Sequence, residues 1–182
     1  MASIFPGVST VTTICFMPEK KTIERATKDK RQGKSPTTQA GEFVREEIDH
    51  VREGKHGVRS AKQAIAIGLS KARRAGVDLK PPKKGETSEK TRRSAMQAYE
   101  KGQRHEPISP KRSRARVKAL KREGRTAVSR KALSRQGHAA AMERTASDRS
   151  AAARKAAKTK GAQKRSQAAK KGARTRTKRQ HA

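Results

Sequence analysis

The chain has 182 residues, with 48 Lys plus Arg against 16 Asp plus Glu, a formal charge of +32 and a pI near 11.5. Leu, Ile, Val and Phe together number 22, well under the share of roughly 20% below which high charge goes with disorder. This excludes one large globular core, and it selects polyanions as the partners that so basic a chain can neutralise.

Neither quantity is evenly spread. Six of the large apolar residues lie in 1–16, eleven in 17–79 and five in 80–182, whereas the charge is +7 up to Gly76 and +25 beyond it. The expected architecture is all-α. A three-helix head at 17–79 is followed by a linker at 80–86 and a basic Ala/Lys/Arg-rich tail at 87–182, largely disordered or conditionally helical.

Residues 1–16, MASIFPGVSTVTTICF, carry no charged side chain. They lack the basic n-region and small-residue cleavage site of a secretory signal, and they are shorter than the ~18 apolar residues of a membrane span. Charged, helical composition begins abruptly at Met17, so 1–16 read as a doubtful N-terminal extension ahead of the true start. A short targeting leader is the rival reading. Cys15, the only cysteine, lies there; one thiol cannot form a disulfide within the chain, which points to a reducing compartment.

Pro18 and Glu19 open a first helix running to about Arg31, with Ile23, Ala26 and Thr27 on one side and Gly33 as its stop. KSPTTQ reads as a turn in which Thr37 or Thr38 caps a second helix. Its apolar stripe is Ala40, Phe43, Val44, Ile48 and Val51, and Glu42, Glu46, Asp49 and Glu53 line up on the opposite side. Ser60 followed by Gln63 is a capping box for a third helix from Ala61 to about Ala75, with Ala61, Ala64, Ile65, Gly68, Leu69 and Ala72 facing inward. A domain of ~60 residues buries only about 60% of its unfolded surface. Dimerisation through the Phe43 face, or folding on a ligand, would make up the shortfall.

The run MPEKKTIERATKDKRQGKSPTTQAGEFVREEIDHVREGKHGVRSAKQAIAIGLSKARRAGVDLKPP resembles a small basic domain of bacterial proteins, a domain of unknown function. Members are sometimes labelled DNA-binding or plasmid-stabilisation proteins. The resemblance implies a bacterial cytoplasmic protein and supplies no catalytic residue.

The candidate chemistry in this region is weak. Gly33-Lys34-Ser35 imitates the end of a P-loop, but position 28 is Lys28 rather than glycine and the preceding segment reads as helix. His50 and His56 lack the spacing of a metal site and read as solvated or capping histidines. The four acids of the second helix read as a solvated face or as an internal clamp for the basic tail. No catalytic residue, metal or cofactor is expected, and the chain is not expected to be an enzyme.

KPPKKGE is the linker, and a weak helix follows from about Ser88 to Lys101, with Ala95, Met96 and Tyr99 sharing a side. Ser109-Pro110 opens a further helix in KRSRARVKALKRE; with Lys111 and Arg112 it also resembles the S-P-K-[KR] elements in tails of linker histones. From Arg149 onward there are 13 basic residues and no acid. These segments resemble the Lys/Ala-rich tails of histone H1-like bacterial proteins.

After Met17 the only aromatics are Phe43 and Tyr99, too few for a base-stacking platform, and there is no helix-turn-helix reading helix. The expectation is therefore a sequence-nonspecific, histone-like DNA-binding protein of the nucleoid that works by phosphate neutralisation. DNA is favoured over RNA and no membrane is involved. An RNA- or ribosome-associated protein, or a protein-interaction head localised by a basic tail, are the alternatives. The expected nucleic-acid contacts are Lys111, Arg112, Arg114, Arg116, Lys118 and Lys121, then Arg154, Lys155, Lys158, Lys160, Lys164, Arg165, Lys170, Lys171, Arg174, Arg176, Lys178 and Arg179. Arg73 and Arg74 assist from the head.

Overall fold

A computed structural model describes residues 17–180. The extension at 1–16, with Cys15, lies outside the described residues. Within them the chain is all-helical: α1 (Lys20–Arg31), α2 (Pro36–Arg52), α3 (Ala61–Arg74), α4 (Glu89–Gln103), α5 (Pro110–Leu120), a 3-10 turn (Thr126–Val128), α6 (Arg130–Met142) and α7 (Ala146–Gln180). The chain divides into two compact units, the first ending at Ser134 and the second starting at Arg135.

In the first unit α1 stops as its glycine dictates. Gly33 takes φ +67°, and the Lys34 N–H donates to Asp29 O at 3.0 Å, closing the last turn in a Schellman arrangement. The buried side of α1 is Thr22, Ala26 and Asp29, while Ile23 is 42% exposed. The inward face is thus rotated from the expected Ile23, Ala26 and Thr27. Against α2 the helix approaches closely enough to favour small residues, and Asp29 turns toward Lys34 Nζ at 2.6 Å.

The second helix begins at Pro36 rather than after Thr37 or Thr38. Proline at a first-turn position carries the helical φ already and needs no N–H partner. Ser35 Oγ makes no backbone cap; it meets the Thr37 and Thr38 hydroxyls at 2.9 and 3.0 Å. At α3 the capping box is present: the Gln63 N–H donates to Ser60 Oγ at 3.2 Å, and Gln63 Oε1 accepts from the Arg59 N–H at 2.7 Å.

Two apolar clusters hold these helices. One joins Ala26, Ala40, Phe43, Ala72 and Val77; the other joins Val51, Val58, Ala64, Leu120 and Val128. Glycine permits the approach of α2 to α3, since a Cβ on Gly68 would stand 2.6 Å from Val44 Cα. Phe43 is 1% exposed inside its own chain's core, so its side chain offers no face to a second copy.

The second cluster revises the expected three-helix head, because Leu120 and Val128 come from the segment assigned to the tail. The backbone ties that segment down: the Gly57 N–H donates to Leu120 O at 3.0 Å and the Val58 N–H to Gly124 O at 2.9 Å. Helix α4 also packs on α3, with Ala95, Ala98 and Gly102 buried and the Tyr99 hydroxyl donating to Asp78 Oδ1 at 2.7 Å. Met96, expected on that side, is exposed.

In the second unit α7 is helical rather than disordered. It is interrupted at Gly161, whose φ of 70° and ψ of 165° are not helical. No described residue of α7 is buried.

Candidate functional site

Helix periodicity brings Glu46, Glu47 and His50 of α2 to the side that meets the loop after α2, the start of α1 and the last turn of α3. All three are buried, as are His56 from the loop and Lys71 from α3. Lys71 Nζ lies 2.8 Å from Glu47 Oε2 and 3.3 Å from Glu46 Oε1. His56 Nε2 lies 3.3 Å from Glu47 Oε1, and His50 Nδ1 lies 3.9 Å from Glu46 Oε1.

The outer nitrogens of the two rings are engaged elsewhere. His56 Nδ1 is 3.0 Å from Gly57 O and His50 Nε2 is 2.8 Å from Glu19 Oε1. A carbonyl and a carboxylate can only accept, so these two nitrogens carry the protons. Glu19 also receives Lys55 Nζ at 3.1 Å, and its own N–H donates to Glu46 Oε2 at 3.1 Å. The bond from His50, and then that from Lys55, hold the Glu19 carboxyl down at about 2.

The expectation of solvated histidines is therefore corrected: His50 and His56 are each 2% exposed. The reason is the loop, whose glycines fold it back under α2. The acidic stripe is corrected in part. Glu46 is buried on Lys71, Glu42 pairs with Arg25 at 2.9 Å and Glu53, itself 57% exposed, with Lys55 at 3.0 Å, so partners within the head serve three of the four acids.

The expected phosphate contacts separate into groups. Arg73 is buried; its Nε donates to Leu79 O at 3.0 Å and burial lowers its pKa, which turns it from the solvent to the chain's own loop. Arg74 donates to Glu106 O at 3.0 Å. Lys111, Arg112, Arg114, Arg116, Lys118 and Lys121 are all exposed around α5, which Leu120 anchors to the core. In α7 the side chains of Arg154, Lys155, Lys158, Lys160, Lys164, Arg165, Lys170, Lys171, Arg174, Arg176 and Arg179 are exposed. At 100° per residue their directions fall on every side of the helix, so α7 has no apolar stripe with which to dock.

Residues 29–85 match the model of a family of unknown function, DUF6496. The matched span covers α2, α3 and the loop between them, with Glu46, Glu47, His50, His56 and Lys71; α5 and α7 lie beyond it. No curated protein and no solved structure matches the chain. Among the described residues no helix is long and apolar enough to cross a membrane.

Sequence reasoning misses Glu47 and Lys71 altogether. A weak signal exists: Glu47 falls between the apolar stripe and the acidic one, and Lys71 sits three residues after Gly68 on the inward face of α3.

Proposed function

We propose that the protein is a sequence-nonspecific, histone-like DNA-binding protein that acts by neutralising backbone phosphates in the bacterial nucleoid. The observation that carries this reading is α7, two helical stretches either side of Gly161 with exposed basic side chains and no acid after Asp148. Such a helix gains nothing from apolar burial and suffers like-charge repulsion along its length, both of which a polyanion relieves. The five basic side chains on α5, with Lys121 just after it, add a second patch. The two aromatics among the described residues are occupied: Phe43 is in the core and Tyr99 bonds Asp78. Recognition without stacking or reading residues favours duplex phosphate over unpaired RNA bases. A structured RNA presents the same phosphates and is the second reading; a head that binds a protein partner is the third. A binder, not a catalyst, is proposed.

The test is a salt titration of DNA binding by the full chain. Neutralising about eight phosphates gives a log-log slope of roughly −7. Replacing Lys170, Lys171, Arg174 and Arg176 by Gln should flatten that slope by about one for each phosphate no longer neutralised. A slope near zero for the unaltered protein would sink the proposal, and crosslinking in cells with sequencing of the bound nucleic acid separates DNA from RNA.

A further inference from the structure

The inner nitrogens of the buried rings, His50 Nδ1 and His56 Nε2, have no hydrogen-bond partner, and neither has Glu47 Oε1; the other Glu47 oxygen is met by Lys71 Nζ at 2.8 Å. One ligand atom from each of these three residues lies within 4.8 Å of the other two. Buried polar atoms are nearly always satisfied, and three such atoms, the two ring nitrogens and one Glu47 oxygen, gathered at one point call for a common occupant.

The polarity of the orphans identifies it. With protons on His50 Nε2 and His56 Nδ1, a ring without a second proton turns a lone pair inward, toward carboxylate oxygens that also hold only lone pairs. The arrangement repels itself unless something positive stands between. Lys71 supplies one charge, at Glu47 Oε2. Glu19, Glu46, Glu47 and Glu53 bring four negative charges to the network against two from Lys55 and Lys71, which leaves two negative charges over.

We propose that Glu47, His50 and His56 form a buried three-ligand site for one divalent transition-metal ion of the zinc class, its remaining position open to water. Two imidazole nitrogens and a carboxylate oxygen are the donor set of that class. His56 Nε2 and Glu47 Oε1, at 3.3 Å, already stand at the separation that two ligands of a tetrahedral ion about 2 Å away would have. The outer shell is in place: the carboxylate of Glu19 on one ring, the carbonyl of Gly57 on the other and Lys71 on the far oxygen of Glu47. Such partners fix the tautomer and aim the ligand. The ion would tie the start of α1, helix α2 and the loop after it into one piece, strengthening a head with little apolar surface to bury.

The test uses metal-stripped full-length protein titrated with Zn2+ by calorimetry and with Co2+ by visible absorption. The expected result is one ion per chain, with the intense bands of four- or five-coordinate Co2+ that Zn2+ then bleaches. His56→Gln should weaken binding at least about 100-fold, and Glu19→Ala, which removes only the outer partner of His50, about 10- to 100-fold. The pair His105→Ala and His138→Ala should leave affinity unchanged. Circular dichroism checks the fold of each variant, and Glu19→Ala decides if His56→Gln unfolds. The proposal is overturned if neither ion binds saturably, if Glu19→Ala binds as the unaltered protein does, or if the distant histidine pair abolishes binding. Absence of saturable binding would assign the inward positions to protons on the two rings instead.

Discussion

Lys71 Nζ stands 2.8 Å from Glu47 Oε2, and neither side chain has any exposure to solvent. Two charges have been taken wholly out of water, at a desolvation cost that their attraction repays only while both remain. Replacing Lys71 by Met should destabilise the head by about 3 to 5 kcal/mol, because Glu46 and Glu47 are then left buried without their cation. Urea denaturation followed by circular dichroism measures this. A loss below about 1 kcal/mol would show that the pair contributes no more than a surface ion pair.

The docking of α5 and the 3-10 turn has its own test at Gly57. A Cβ there would collide with the backbone carbonyl of Glu123, and a carbonyl held by its own chain cannot swing aside as a side chain can. Gly57→Ala should therefore cost about 1 to 3 kcal/mol and raise hydrogen exchange at Gly57 and Val58, whose N–H groups bond Leu120 and Gly124. In contrast, Gly137 in α6 has open space around its missing Cβ. Alanine there should stabilise that helix by about 0.5 to 1 kcal/mol. If the two substitutions behaved alike, the docked arrangement would be wrong.

The same docking marks the limit of what the residue pattern reveals. Helix ends are legible where chemistry is local: Gly33, the Ser60 and Gln63 box, and Ser109-Pro110 each act within a few residues. The same Ser-Pro signature at 35–36 reads as a turn because two threonines follow it. The buried network is illegible for a different reason. Glu46, spaced at three and four residues from other acids, looks like a solvated stripe, and only Lys71, 25 residues away, makes it an interior one. Leu120 and Val128 are isolated apolar residues in a basic segment, so periodicity does not distinguish them from exposed ones. Their role depends on a backbone pairing with residues 57 and 58, which no local pattern encodes.

Acid should act on the network through Glu19. Its carboxyl is lowered from 4.5 to about 2, first by the hydrogen bond with His50 and then by Lys55. A group whose pKa is depressed on folding contributes its stability in full above the unfolded value and loses it as pH falls toward the folded one. The window is therefore 4.5 down to about 2. Because the side chain is 44% exposed, solvent screening keeps the contribution at about 1 kcal/mol or less. Comparing the unaltered protein with Glu19→Gln across that range should show the difference between them shrinking as pH falls. A difference that stayed constant down to pH 2 would remove Glu19 from the account.

Arg73 and the lysines of α7 separate structural charge from binding charge. The sequence pattern assigns Arg73 to phosphate, yet its Nε bonds Leu79 O at 3.0 Å, and Nη2 reaches Lys80 O at 3.5 Å. Removing the guanidinium by Arg73→Ala leaves a partly buried carbonyl without its donor, at a cost of about 1 to 3 kcal/mol. It takes no charge from the surface proposed to meet DNA, so under conditions where the variant is folded the salt slope should be unchanged. Lys170 and Lys171, by comparison, are exposed on a helix that buries nothing. Replacing both with Gln should alter stability by no more than about 0.5 kcal/mol and flatten the salt slope by about one for each phosphate released. Thermal denaturation and a salt titration of each variant give the two readouts. A flattened slope for Arg73→Ala, equal to that of the lysine pair, would mean that Arg73 leaves its carbonyls for phosphate when DNA is bound. Then the loop at 79–80 would have to open on binding, and hydrogen exchange there would rise in the complex.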